Sequence, residues 1–446
     1  MEIQERAVEP SAHRDMNASR ATRMASLAAA CAIALLCLWM PLGRPTAPLL
    51  SSAVLGALVL ALVVARVLGG FVPRHMVPLA LLAVVTLVSA WLSPFANFAL
   101  DRSAAGLVLL LVFPAAQLIT VSPAAVRIVC GSAALAVTTC GLDIAWQYFF
   151  GSSLLLGVPE PSDRWRFTGS LTNANEVGFV ALLLPFALMQ RRNNQPNARI
   201  RAQVARAATI ITALFGVLLT GSRATLGGIF VGANITSWFG KRVFLRWSLV
   251  VAISVAAIAW IGDFGSFRKR AVESLRPQDE MRLRTWRIAF EAFVDRPLFG
   301  AGPAVFYEVN EQSRSTQRPV GWETPPGGMP WVHNVPLELL AERGLVGTAA
   351  FSWLVFVVIR DLRITLRPHA RSPETRAIAS AAAASLATFA AMSLFDLTLL
   401  KDWCSIALWL SAGLAVGVAG IPSVQQAGQA NPSTQSPHLS PRSSAK

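Results

Sequence analysis

Residues 24–42 read MASLAAACAIALLCLWMPL. The run carries no charge, and as a helix rising about 1.5 Å per residue it crosses the roughly 30 Å hydrocarbon core of a bilayer. About twelve runs of this kind follow one another along the chain. After Met24–Leu42 come Pro48–Gly70, Met76–Phe95, Ser103–Val121, Val126–Phe149 and Ala174–Gln190. Ala207–Thr220, Ala224–Phe239, Leu245–Gly262, Pro336–Ile359, Thr375–Leu400 and Trp403–Gly420 complete the set. The seventh and eighth read as short, nearly continuous spans hinged at Gly221-Ser222-Arg223. The fold class is therefore all-α, a polytopic membrane protein.

Composition agrees. Of 446 residues 54% are hydrophobic and 14% charged, against about 25% charged in an average soluble domain. The shortfall runs along most of the chain, which excludes a soluble enzyme carrying one anchor. The net charge of +15 does not point to nucleic acid, because the basic residues sit in short clusters between apolar runs. Cytoplasmic loops carry such clusters under the positive-inside rule. Arg14, Arg20 and Arg23, then Arg191 to Arg206, Lys241 to Arg246 and Arg360 to Arg376 all fall on one side, and so do Arg442 and Lys446. Both termini are thereby placed in the cytoplasm.

The chain divides accordingly. Residues 1–23 are a cytoplasmic tail, about twenty polar residues that read as the lead of a signal anchor. Residues 24–262 hold spans one to nine, 263–335 form a long periplasmic loop, and 336–420 hold spans ten to twelve. The Pro-, Ser- and Gln-rich residues 421–446 read as a disordered cytoplasmic tail. Within the long loop Leu283, Trp286, Ala289, Phe290 and Phe293 recur at helical spacing. They predict an amphipathic helix over Asp279–Val294, lying along the membrane surface. A shorter external loop runs from Phe150 to about Asn173. The five cysteines and five histidines show no ligand spacing, so neither a disulfide framework nor a metal site is expected.

The polar residues of the spans gather at the external side: Asp143, Asn173, Asn175, Glu176, Arg223, Asp396, Lys401 and Asp402. Charges at membrane depth are costly, so such a cluster marks a site or a set of buried ion pairs. For Asp143 and Glu176 the ion pair is the preferred reading; Asp396 has the same alternative, with Lys401 or an arginine. Arg223, where two spans meet, is an anion-binding group or an interfacial arginine reaching lipid phosphates. Arg282, Arg284 and Arg287 beside Trp286 match phosphate geometry, or form a solvated basic face. His333, just before a span, is a base near neutral pH or a helix cap.

Four stretches carry a resemblance. FTGSLTNAN at 167–175, TGSRA at 220–224, and RLRTW at 282–286 with PLFGAG at 297–302 are three of them; His333-Asn334 through Glu342-Arg343-Gly344-Leu345-Val346-Gly347 is the fourth. In order and spacing they resemble the O-antigen ligase and polymerase superfamily of bacterial surface-polysaccharide assembly. The resemblance implies glycosyl transfer at the periplasmic face of the inner membrane, and within the superfamily it is nearest the lipopolysaccharide O-antigen ligase. The donor would be a glycan on undecaprenyl pyrophosphate and the acceptor a lipid A–core sugar hydroxyl. Arg223 with one or two of Arg282, Arg284 and Arg287 would hold the pyrophosphate. His333 would take the acceptor's proton, and Asp396 would orient an arginine or the histidine. The donor bond carries the energy, no phosphate-cradling loop is present, and no cofactor is implied. A polysaccharide polymerase, with the same donor and a growing glycan as acceptor, is the near alternative. A lipid-polysaccharide flippase is the distant one, since it needs polar residues through the whole membrane depth.

Overall fold

A computed structural model describes residues 9–42, 48–161, 166–171, 173–189, 196–239, 280–306, 331–367, 371–395 and 401–421, with a few single positions between them. Among these residues every regular element is a helix; Ser152 and Pro159 form one isolated bridge. The helices are α1 (Glu9–Trp39), α2 (Pro48–Val67), α3 (Met76–Trp91), α4 (Ala96–Leu109), α5 (Val112–Ile119), α6 (Pro123–Phe150) and α7 (Gly178–Ala187). Then follow α8 (Pro196–Thr220), α9 (Arg223–Phe239), α10 (Glu280–Asp295), α11 (Val335–Thr365), α12 (Pro373–Ser393) and α13 (Asp402–Ala419). Seven stretches of the described residues are long and apolar enough to cross a membrane, and three shorter apolar helices accompany them. The chain is a polytopic all-helical membrane protein. The expected ninth span and most of residues 263–335 lie outside the described residues.

Local chemistry explains the departures from the sequence reading. The fourth run is two helices within one continuous apolar span, because Pro114 has no N–H for the Leu110 carbonyl; Phe113 N bonds that carbonyl instead, at 3.1 Å. The seventh run is not short. α8 spans 25 residues from Pro196, since Arg199 and Arg201 are exposed and need not end the helix where apolarity ends. α10 lies within one residue of its predicted bounds, but its faces differ. The side turned to the protein is Thr285, Ile288, Ala289 and Ala292, packed with Phe306, Val332 and Ala341. Leu283, Phe290 and Val294 form a second, outward apolar stripe, the side an interfacial helix offers to lipid.

In lipid, apolar side chains gain little from one another, so helices associate where small residues let backbones meet. A Cβ on Gly216 of α8 would stand 2.9 Å from the Cα of Gly141 on α6. α9 meets α12 the same way: the Thr388 hydroxyl donates to Gly228 O at 2.9 Å, and a Cβ on Gly228 would lie 2.7 Å from Met392 Sδ.

The central device is a break in α11. Gly344 has φ 63° and ψ −164°, a conformation open in practice only to glycine, and it interrupts the ladder. Residues 297–302 enter the gap. Ala301 N donates to Ala341 O at 2.8 Å and Gly302 N to Glu342 O at 3.0 Å; Leu345 N donates to Pro297 O at 2.8 Å and Val346 N to Leu298 O at 3.1 Å. α3 closes the joint from behind. The Ser89 hydroxyl lies 2.6 Å from Phe299 O and 2.8 Å from Glu342 O, and Ser93 donates to Ala301 O at 2.6 Å. At the far end of α11 the buried Asp361 meets His75 at 2.9 Å, Arg360 at 3.1 Å and Arg74 at 3.4 Å. The same helix that braces the break is therefore pinned at its other end too.

Gly344→Ala should destabilise the protein markedly. Its Cβ would strike the backbone of Leu298 and Phe299, and the backbone strain alone costs about 1–3 kcal/mol. Gly131→Ala, a helical position with open space around it, is the control. Thermal unfolding in detergent should place Gly344→Ala several degrees below the control; equal midpoints would show that the break is not the joint described.

Candidate functional site

The site is assembled at the end of the bundle opposite Asp361, and each of its turns is held by a buried polar side chain. On α6, Asp143 and Gln147 stand one turn apart and fully buried. Asp143 accepts from Ser170 N at 2.6 Å and Leu155 N at 2.9 Å. Gln147 accepts from Gly169 N at 2.8 Å and donates to Pro159 O at 3.0 Å. Asp143 therefore anchors amides, and among the described residues it sits in no ion pair. Gly169, at φ 60°, is required because a Cβ there would stand 2.6 Å from Asp143 Oδ2. Asn173 caps the short turn that follows, accepting from Asn175 N at 2.9 Å.

The turn at 220–223 is bound to this one. Phe167 N donates to Leu219 O at 3.2 Å, and Arg166 donates to Thr220 O at 3.0 Å and also to the Asn175 side chain. Arg166 thus ties two of the four motifs. The sequence reading stopped one residue short of it, because its role depends on a contact 54 residues away. Gly221, at φ 61°, ends α8, and the half-buried Arg223 opens α9, whose first turn offers the favourable end of the helix dipole to an anion.

His333 and Asn334 divide the work at the start of α11. The cap is Asn334: its Oδ1 accepts from Leu337 N at 3.0 Å, and its Nδ2 donates to Leu394 O at 3.1 Å. His333 does not cap the helix. It is held at φ 55°, left-handed and uncommon for a residue with a Cβ, with its ring edge-on to Trp331 at 6.0 Å. Strain of this kind persists where surroundings fix it, and it concentrates at functional sites. Lys401 Nζ lies 5.1 Å over the Trp331 ring and 2.9 Å from Glu176, which is the ion pair expected for Glu176. Buried Glu338 accepts from Leu399 N at 3.0 Å. The connection from α12 to α13 is therefore tied at Leu394, Leu399 and Lys401 to the turns that carry His333 and Asn175. Asp396 lies outside the described residues.

The arginines of α10 separate. Arg287 is exposed and bonded to Glu291 at 2.8 Å, whereas Arg284 is half-buried at the edge of the packed face. The side chain of Arg282 lies outside the described residues. A charged residue the sequence reading passed over is Arg343. It is nearly buried and bonded to Glu342 at 3.3 Å, and Gly347 leaves room for its side chain one turn on.

Four motifs distant in sequence thus converge on one end of the bundle. No curated protein matches the chain. Residues 208–352 match the family model for O-antigen ligase, a segment that holds the 220–223 turn, α10, the threaded loop, His333 and the break in α11, and the match supports the O-antigen ligase superfamily.

Proposed function

We propose that the protein is an O-antigen ligase that transfers a glycan from undecaprenyl pyrophosphate to a lipid A–core sugar hydroxyl at the periplasmic face of the inner membrane. The observation that carries this reading is the left-handed His333. It is freed from capping by Asn334 and set at the end of the bundle where Arg223 opens α9. In the reaction the acceptor oxygen bonds to the anomeric carbon of the donor sugar. The bond from that carbon to the pyrophosphate oxygen breaks, and the carrier pyrophosphate leaves with the electron pair. His333 takes the hydroxyl proton. Negative charge grows on the leaving group, and Arg223 and Arg284 stabilise it in a site of low dielectric. Arg287 is less suited to that role, because Glu291 already meets its charge. Arg282 completes the anion site, and Asp396 orients His333 or an arginine. The basic-loop pattern, which gives both termini to the cytoplasm, supports a site on the outer face of the membrane.

His333→Ala should lower transfer by roughly 10²–10⁴-fold while carrier-linked glycan still binds. Turnover within a few-fold of the native enzyme in an assay with purified donor and acceptor would remove the base assignment. Arg223→Ala should abolish transfer and Arg223→Lys should recover little, because a point charge does not reproduce a guanidinium fork. Native rates from Arg223→Ala at equal expression would make it a lipid anchor. A deletion strain should show bare core on a lipopolysaccharide gel, with polymerised chains left on the carrier. Core bearing a single repeat would identify a polymerase instead. For topology, a cysteine at Ser313 should react with an impermeant reagent on intact cells, and reaction only after lysis would invert the orientation.

A further inference from the structure

Beside Trp331 a cavity of about 480 Å³ opens between α3, α4, α11 and α13, with Pro303, Ala304 and Glu308 along its rim. No residue of α9 or α10, the helices that carry Arg223 and Arg284, lines it. Its polar wall holds charges of both signs: Arg102 and Arg343 face it together with Glu308 and Asp402. Ser103 adds a hydroxyl that is buried and has no hydrogen-bond partner among the described residues. Its floor is apolar, with Leu82, Leu110, Phe351 and Trp409.

A pyrophosphate is a poor match for such a wall, because Glu308 and Asp402 repel it as Arg102 and Arg343 attract it. A sugar fits better. Its hydroxyls donate to carboxylates, an anionic substituent on it accepts from arginine, and its C–H faces lie on aromatic edges. Arg343 is already set for this. Glu342 holds one of its N–H groups, and the nearly buried side chain keeps the rest of its planar fork for a ligand. The apolar floor excludes water, which would otherwise compete with the sugar hydroxyl as nucleophile. Trp331 forms a wall of the cavity and touches the His333 ring, so a sugar held there presents its hydroxyl beside the histidine.

The walls also divide by origin. Arg343, Trp331 and the rim fall within the matched segment 208–352, whereas α3, α4 and α13 fall outside it. Ligase and polymerase share a donor and differ in acceptor, so a chamber half-built from residues outside the shared segment suits the partner that differs. We infer that this cavity is the acceptor subsite, which takes a lipid A–core sugar bearing a phosphate or carboxylate, held by Arg343 and Arg102 and oriented by Asp402. This rests on the ligase reading for its acceptor.

The full chain, purified in detergent, would be titrated with rough-type lipopolysaccharide and separately with undecaprenyl pyrophosphate. Two variants probe the cavity. Arg343→Gln removes the charge, and Gly106→Leu fills open space in the wall, one turn from Arg102. Each should weaken lipopolysaccharide binding about tenfold or more, the scale of a lost charge-assisted contact, and leave carrier binding within about twofold. Arg223→Ala should do the reverse. The inference is overturned if the native chain does not bind rough-type lipopolysaccharide, if Gly106→Leu leaves that binding unchanged, or if either variant costs the carrier as much as the acceptor. A native protein that binds both ligands with this pattern yet transfers nothing would support the cavity and overturn the ligase reading.

Discussion

Inside a bilayer no water is available to bond a backbone group released from a helix, so an interrupted helix must find its partners in the protein. The break at Gly344 meets that requirement with one segment. Residues 297–302 supply amides to the carbonyls of Ala341 and Glu342 and carbonyls to the amides of Leu345 and Val346. The exchange needs two backbones at van der Waals distance. A Cβ on Gly300 would land on the Glu342–Arg343 peptide, and one on Gly344 would land on Leu298. The break and the loop are thus a single joint. It fixes α10, which packs on the start of α11, relative to His333. Without it the arginines of α10 and the histidine would have no common frame.

The same economy governs the charged side chains. Glu342 is fully buried, with Arg343 at 3.3 Å. Glu176 has Lys401, and Asp143 has two amides. Burying a carboxylate without partners would cost several kcal/mol, so these contacts are what let the turns stand at membrane depth. Most of the polar residues at this end are therefore framework, and the chemistry falls to a few groups presented by the frame.

That division shows what was legible in the sequence. Among the described residues most apolar runs are read as helices from the sequence, since such a run has one physical meaning in a bilayer. Their ends are less legible: α8 continues through Arg199 and Arg201, which reach out of the apolar layer along their own stems. The glycines at 300, 302 and 344 were visible as a motif, but their purpose was not. They serve a contact between segments 40 residues apart, and spacing does not report it. The inward face of α10 is not legible for a related reason. Two apolar stripes run along it, and Ala289 fits either period, so only the partner shows that Ile288 and Ala292 turn inward. Arg166 carries no local signal, and Arg343 stands inside a motif without one of its own. Arg166 is defined by Thr220 and Asn175, and Arg343 by the cavity it lines.

The boundary of the family segment then acquires a structural sense. Residues 208–352 begin within α8, run through the 220–223 turn and α10, and end at Ser352, two turns beyond the break in α11. They hold Arg223, the α10 arginines, His333 and the joint that relates them. The helices outside the segment hold those positions in place: α6 through Asp143 and Gln147, α3 through Ser89 and Ser93, and α13 through Lys401. Such supports constrain only the few atoms that make the bonds. The remaining surfaces of α3, α4 and α13 are free to change shape and charge without disturbing the joint. The cavity lined by those surfaces can therefore differ in shape and charge while the joint remains fixed.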